Sequence, residues 1–245
     1  MSHATLLVIY PKSVKTMDDV QEHTDFVMSP FNENIEVEPY IVYKFADRQK
    51  LFDNYLKKIE ESDHLQDEDY LNEWYYPYKE AGADYWFKNY LSDGRTTDAE
   101  GNIISTYNPE SKWDWWVFGG RWNQMLIDKN GTECNICKWG EFDIDKYRQK
   151  RVREHMEYLA SKNPFITDSQ RMTEEEAIEL YKKRHITTHA VMTEDGTWIE
   201  PAEMGWFGCT HGRTESEDDW NKNYFDRFLK NLDPEQFIAV VDYHI

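Results

Sequence analysis

Two apolar runs constrain this sequence more than any other feature. One is Ala4-Thr5-Leu6-Leu7-Val8-Ile9-Tyr10, and the other is Phe237-Ile238-Ala239-Val240-Val241-Asp242-Tyr243-His244-Ile245. Side chains alternate between faces along an extended strand, and each run is apolar on both faces. Neither could stay exposed, so both belong in a covered sheet. Further extended segments are expected at Val37 to Phe45 and in a hairpin from Thr188 to Ile199 turning at Asp195-Gly196. Ser29 to Asn34 reads as a loop.

Helical patterns fill much of the space between. Asp47 opens a segment reaching about Glu61, with Leu51, Tyr55 and Ile59 on one face. A second helix is expected from about Ile144 to Ser161. A third begins at Thr173, whose spacing to Glu176 is that of a capping box. Its first turn holds Glu174, Glu175 and Glu176 and its end holds Lys182, Lys183 and Arg184, which suits the helix dipole. A fourth runs from Trp220 to Leu232 with Tyr224, Phe228 and Leu232 inward, and Asp233-Pro234 ends it. Strands at both ends with helices between them predict an α+β fold, with a central mixed or antiparallel sheet flanked by helices. No repeat or linker is visible, so residues 1–245 read as a single domain. Within it, 62–106 reads as an aromatic-rich helical insertion, holding Tyr70, Trp74, Tyr75, Tyr76, Tyr78, Tyr85, Trp86, Phe87 and Tyr90.

The formal charge of −19 repels the phosphate backbone, so bulk nucleic-acid binding is not expected. No apolar run approaches the roughly 20 residues of a membrane span. The first apolar run lacks a basic flank and a small-residue cleavage site, and reads as a buried strand, not a secretion signal. Three cysteines cannot build a disulfide framework, which points to a reducing cytoplasm.

The segment Trp113-Asp114-Trp115-Trp116-Val117-Phe118-Gly119-Gly120-Arg121-Trp122 sets four indoles around one acid, one arginine and a glycine pair. Strand alternation would put Trp113, Trp115 and Val117 on one face and Asp114, Trp116 and Phe118 on the other, both apolar enough to be covered. The structural reading is a buried strand. The functional reading is a pocket formed by Trp113, Asp114, Trp116, Gly119, Gly120, Arg121 and Trp122. There an indole stacks on a planar ligand, Arg121 grips an anion and the glycines let backbone N–H groups approach. The glycine spacing is neither a P-loop nor a dinucleotide fingerprint.

A second constellation lies in the strands. Asp242 and His244, two apart, share a face, and His3 could join them if the terminal strands are neighbours; His189 lies beside another strand. Two imidazoles and a carboxylate can work as an acid–base pair or as metal ligands, and Asp242 and His244 are the catalytic candidates. The alternative is that these groups hydrogen-bond the sheet edge. Cys134, Cys137, Cys209 and His211 are chemically fit for zinc but poorly spaced, so no metal and no cofactor are expected. Lys146, Arg148, Lys150, Arg151 and Arg153 form a basic helix start that could meet an acidic partner, or simply balance nearby acids. Neither Gly-x-Ser-x-Gly nor His-Glu-x-x-His occurs.

The sequence resembles a family of uncharacterised phage and prophage proteins. The resemblance rests on Met1-Ser2-His3 before a strand, Pro30-Phe31-Asn32-Glu33-Asn34, and Tyr107-Asn108-Pro109 through Ser111-Lys112-Trp113-Asp114-Trp115 to Gly119-Gly120-Arg121-Trp122. Gly205-Trp206-Phe207-Gly208 and Val241-Asp242-Tyr243-His244-Ile245 complete it. It departs at Tyr243, where the family more often has Cys, and at Cys134 and Cys137. The resemblance implies a mobile-element origin in a bacterial host cell and no defined chemistry.

Three functions are therefore in view. The first is an accessory protein that binds a nucleotide-like small molecule or a host protein, in counter-defence. The second is a hydrolase or nucleotide-processing enzyme using Asp242, His244 and Arg121. The third is an acidic decoy of a nucleic-acid-binding host protein, drawing on the net charge and the acid-rich 60s and 215–219 segments.

Overall fold

The two terminal runs pair with each other along their whole length. In the computed structural model, which describes residues 2–161, 171–183, 186–205 and 209–245, β1 (His3–Ile9) lies antiparallel to β12 (Phe237–His244), from His3↔His244 to Ile9↔Ile238. Residues 206–208 of the motif that begins at Gly205, and Arg184, lie outside the described residues.

The chain divides into two compact units, 1–33 with 110–245, and 34–109. The first contains β1, α1 (Met17–Met28), β4 (Trp115–Phe118), β5 (Leu126–Ile127), β6 (Glu133–Cys134), β7 (Ile136–Lys138) and α6 (Ile144–Ala160). It continues with α7 (Glu174–Lys183), β8 (Ala190–Met192), β9 (Trp198–Ile199), β10 (Glu203–Met204), β11 (Thr210–His211), α8 (Glu217–Tyr224) and β12. The second contains β2 (Glu36–Tyr43), α2 (Arg48–Glu60), α3 (Glu68–Trp74), α4 (Tyr76–Ala81), α5 (Ala83–Trp86) and β3 (Ile103–Tyr107).

The fold is α+β. The main sheet is mixed, in the order β4-β12-β1-β8-β9, with β7 on the same side of β12 as β4. Among the described residues, only β1 and β8 run parallel in this sheet. Ala4, Leu6 and Val8 of β1, with Ala239, Val241 and Tyr243 of β12, face a core closed by Val20, Val27 and Met28 of α1. Leu7, Ile9, Ile238 and Val240 face the other core, closed by Tyr147 of α6, by Trp220 and Tyr224 of α8, and by Phe228 and Leu229. Burial on both faces explains why these strands read as continuous apolar runs.

Several local expectations hold. The Thr173–Glu176 box is formed, Glu176 N–H donating to Thr173 Oγ1 at 3.2 Å and Thr173 N–H to Glu176 Oε2 at 2.7 Å. The hairpin turns at Gly196, whose φ is +83°. Three details differ. Helix α1 is not evident from periodicity, yet Thr16 and Asp19 cap it reciprocally, a box built with Asp in place of Glu. Asp47 makes no side-chain cap bond, because a 3₁₀ turn at Phe45–Asp47 leads directly into α2. The helix from Trp220 is broken after Tyr224 by a π turn, Phe225–Leu229, which brings both Phe228 and Leu229 into the core where Leu232 is only partly buried.

In the second unit β2 and β3 form a two-stranded ladder. Phe52, Ala83, Trp86, Phe87 and Ile103 make one core, and Ile59, Leu71 and Tyr75 another. The aromatic stretch expected as an insertion falls within this unit. No helix among the described residues is long and apolar enough to cross a membrane.

Candidate functional site

Where β1, β12 and β4 run side by side, one sheet face changes from apolar to polar. Register places His3 opposite His244 and Thr5 opposite Asp242, and sets His244 opposite Trp115 and Asp242 opposite Val117. The cross-strand pairs gather two histidine–aspartate dyads. His3 Nδ1 donates to Asp242 Oδ1 at 2.9 Å, and His244 Nδ1 to Asp114 Oδ1 at 2.7 Å. The rings touch edge to face, their centroids 4.9 Å apart. Trp115 completes the cluster, stacked on His244 at 5.5 Å with planes 14° apart and edge-on to His3 at 5.3 Å.

Asp242 is 1% exposed, and both its oxygens are engaged: Oδ2 accepts the Arg121 backbone N–H at 2.8 Å. A carboxylate on Nδ1 fixes the tautomer and orientation of each imidazole, and leaves Nε2 as the atom that takes or gives a proton. Neither Nε2 has a hydrogen-bond partner among the described residues. Trp115 is 42% exposed, so the cluster opens to solvent on the indole side.

The glycine pair serves this carboxylate. Gly119 has φ +74° and Gly120 φ +51°, and Gly119 N–H donates to Val240 O at 2.8 Å. A Cβ on Gly119 would lie 2.5 Å from the Asn135 side chain, and one on Gly120 2.2 Å from Asp242 Oδ2. The close approach expected of these glycines is thus to side chains of their own fold.

The tryptophan segment is divided between faces differently from simple alternation. The strand starts only at Trp115. Just before it, Trp113 O accepts Glu33 N–H at 2.9 Å and the indole donates to Met28 O at 3.0 Å, which draws Trp113 into the α1 core with Trp116 and Phe118. Asp114 therefore swings to the histidine face, its N–H donating to His244 O at 2.9 Å. Trp122 packs in the opposite core, and Arg121 is exposed beside Asp242. Of the seven residues expected to form a ligand pocket, Asp114, Gly120 and Arg121 adjoin the dyads. Trp113 is core, Trp116 and Trp122 are partly buried against core, and Gly119 supports the turn. Spacing alone offers His3 as a possible third member and gives no sign of Trp115. The signal for both was the opposition of residues 3, 244 and 115, which needs the strand register.

His189 stands apart. Its backbone N–H donates to Thr5 Oγ1 at 3.0 Å, and burial holds its imidazole below the usual histidine range against the pull of Glu200. Cys134 and Cys137 adjoin each other without a disulfide, Cys209 is exposed, His211 pairs with Glu203 at 3.1 Å, and no metal-ligating group of three or more His, Cys, Asp or Glu occurs among the described residues. A bond from the Cys137 thiol lowers Cys134 below the usual thiol range, and the same bond, with burial, raises Cys137 above it. On α6, Lys146 pairs with Asp143, Arg148 with Asp145 and Arg151 with Glu154, while Lys150 is buried and reaches Glu133 at 2.9 Å. Arg153 is exposed.

No protein family, curated protein or solved structure matches the chain.

Proposed function

We propose that this chain is an acid–base enzyme that hydrolyses a phosphoester in a nucleotide-like substrate, with His3 and His244 as the proton carriers. The observation that carries the reading is the pair of imidazoles in ring contact, each oriented by its own carboxylate with Nε2 left open. One neutral imidazole takes a proton from water as its oxygen attacks phosphorus. The other, protonated, gives its proton to the ester oxygen as the P–O bond breaks. Asp242 and Asp114 hold the two rings, Trp115 offers a stacking surface for a base, and Arg121 is the nearby cation for the phosphate.

The test is turnover of bis-p-nitrophenyl phosphate and of nucleoside cyclic phosphates by the purified chain. His244→Ala and Asp242→Asn should each lower the rate on the order of 10²–10⁴-fold, the usual worth of a positioned acid or base. His244→Ala should keep the circular dichroism spectrum of the parent. Absence of turnover for the parent across these substrates overturns the enzymatic reading. Saturable nucleotide binding without turnover would favour the binding protein instead, since the exposed Trp115 and Arg121 suit either role.

A further inference from the structure

Strand β4 is the edge of the main sheet. Among the described residues it pairs with β12 alone. The pairing 117↔242, together with the Gly119 N–H to Val240 O bond, turns the backbone groups of Trp115, Val117 and Gly119 toward β12. Those of Trp116 and Phe118 therefore point to the open edge. The strand reads Trp-Trp-Val-Phe with no charge, and Trp115 and Val117 are 42% and 43% exposed. Soluble proteins normally blunt such an edge with lysine, proline or a covering element. Residues 31–33 flank the chain at Trp113, but among the described residues nothing pairs with the edge from Trp116 to Phe118, which lies beside a cleft of about 460 Å³ bounded by residues 113–118 on one side and by Gln21 and Asp25 of α1 on the other.

The α1 wall carries Asp18, Asp19, Glu22 and Asp25 and no lysine or arginine. Asp114 lines the same cleft. We propose that the free edge of β4 receives an extended segment of a partner protein in which basic and apolar residues alternate, added as a further strand of the sheet. Backbone bonds to Trp116 and Phe118 supply the pairing, and the alternate side chains fall on the two sides of the edge. One row packs on Trp115 and Val117, and the basic row meets the acids of α1. A second copy of this chain would bring a like-charged α1 against the first, at a net charge of −19 each. That disfavours self-pairing. This inference is drawn from the strand edge and its charges and not from the acid–base reading, although both use the exposed indole of Trp115.

The probes are a ten-residue synthetic peptide alternating lysine with valine and isoleucine, its glutamate counterpart, and a backbone-N-methylated version of the lysine peptide, titrated by tryptophan fluorescence. The lysine peptide should bind saturably and less tightly as salt rises, and the other two should not bind. Asp25→Lys, at an exposed position, should weaken the lysine peptide about fivefold or more without changing the melting temperature. Failure of the lysine peptide to bind overturns the proposal, as does equal binding of the N-methylated peptide. So does a dimer in sedimentation that Val117→Lys dissolves, since the edge would then belong to a second copy.

Discussion

Gly120 and Asp242 occupy space that neither could keep if residue 120 had a side chain: its Cβ would lie 2.2 Å from Asp242 Oδ2 and 2.4 Å from Asp242 Cβ. The carboxylate that orients His3 is therefore held by a turn only glycine can make, with φ at +51° and the next N–H aimed at Oδ2. Gly120→Ala combines a left-handed backbone strain with an overpacked contact, together about 2–4 kcal/mol. In a chain of this size that lowers the melting temperature by roughly 4–16 °C. A variant that melts with the parent would show that Asp242 is not fixed by this turn.

Trp113 and Trp115 are two residues apart and should behave oppositely. Trp113 is 8% exposed, and its indole N–H is committed to Met28 O. Trp113→Ala should cost about 3–5 kcal/mol in urea unfolding, the usual price of emptying a tryptophan site. Trp115 is half in solvent and stacks on His244. Trp115→Ala should fall within about 1 kcal/mol of the parent in stability and register instead in nucleotide binding, where a stacked base is worth about 1–3 kcal/mol.

On α6, Lys150 and Arg153 separate structure from surface. Lys150 is buried, its Nζ bonded to Gln124 O at 2.7 Å and paired with Glu133 at 2.9 Å. Glu133 is 37% exposed and can rehydrate, so Lys150→Ala should cost about 1–3 kcal/mol, most of it from lost packing and the Gln124 carbonyl. Arg153→Ala should change stability by less than about 0.5 kcal/mol. Urea midpoints of the two variants check this, and equal effects would mean that Lys150 is not anchored where it lies.

Much of the fold is legible in the sequence because its signals are local. Apolar runs give the central strands, Thr173 and Glu176 announce a helix start, and Asp195-Gly196 a hairpin. The site is less legible because it is made by register. That Asp242 and His244 share a face follows from their spacing, but the placing of His3 and Trp115 beside them depends on which residues of β1 and β4 lie opposite. Asp114 illustrates the limit. Alternation assigns it to the face away from Trp115, and the Glu33 and Met28 contacts of Trp113, set by a distant loop and helix, reverse that. Helix α1 is hard to see in the sequence because its inward residues Val20, Thr24, Val27 and Met28 include a threonine, whose hydroxyl is satisfied by Tyr10.

Acid should weaken the fold before its carboxylates titrate. His189 is held below the ordinary histidine value of about 6.5 by burial, partly opposed by Glu200 and by the Ala202 carbonyl and reinforced by Arg213. His23 on α1 is lowered by burial as well. For a base whose folded pKa is depressed, the unfolded chain binds more protons between the two values, so stability rises with pH across that window. The contribution is complete above about 6.5, is lost as pH falls toward the folded value, and levels off below it. The lowered carboxylates, such as Glu203 beside Lys112, act in a separate range, since their stabilisation is lost only as pH falls below the ordinary carboxylate value of about 4.3. Urea midpoints should therefore fall between about pH 7 and pH 5 in the parent, and fall less in His189→Gln and least in the double variant with His23→Gln. An unaltered slope in His189→Gln would mean that the imidazole rehydrates on protonation, and that the Ala202 carbonyl does not hold it in place.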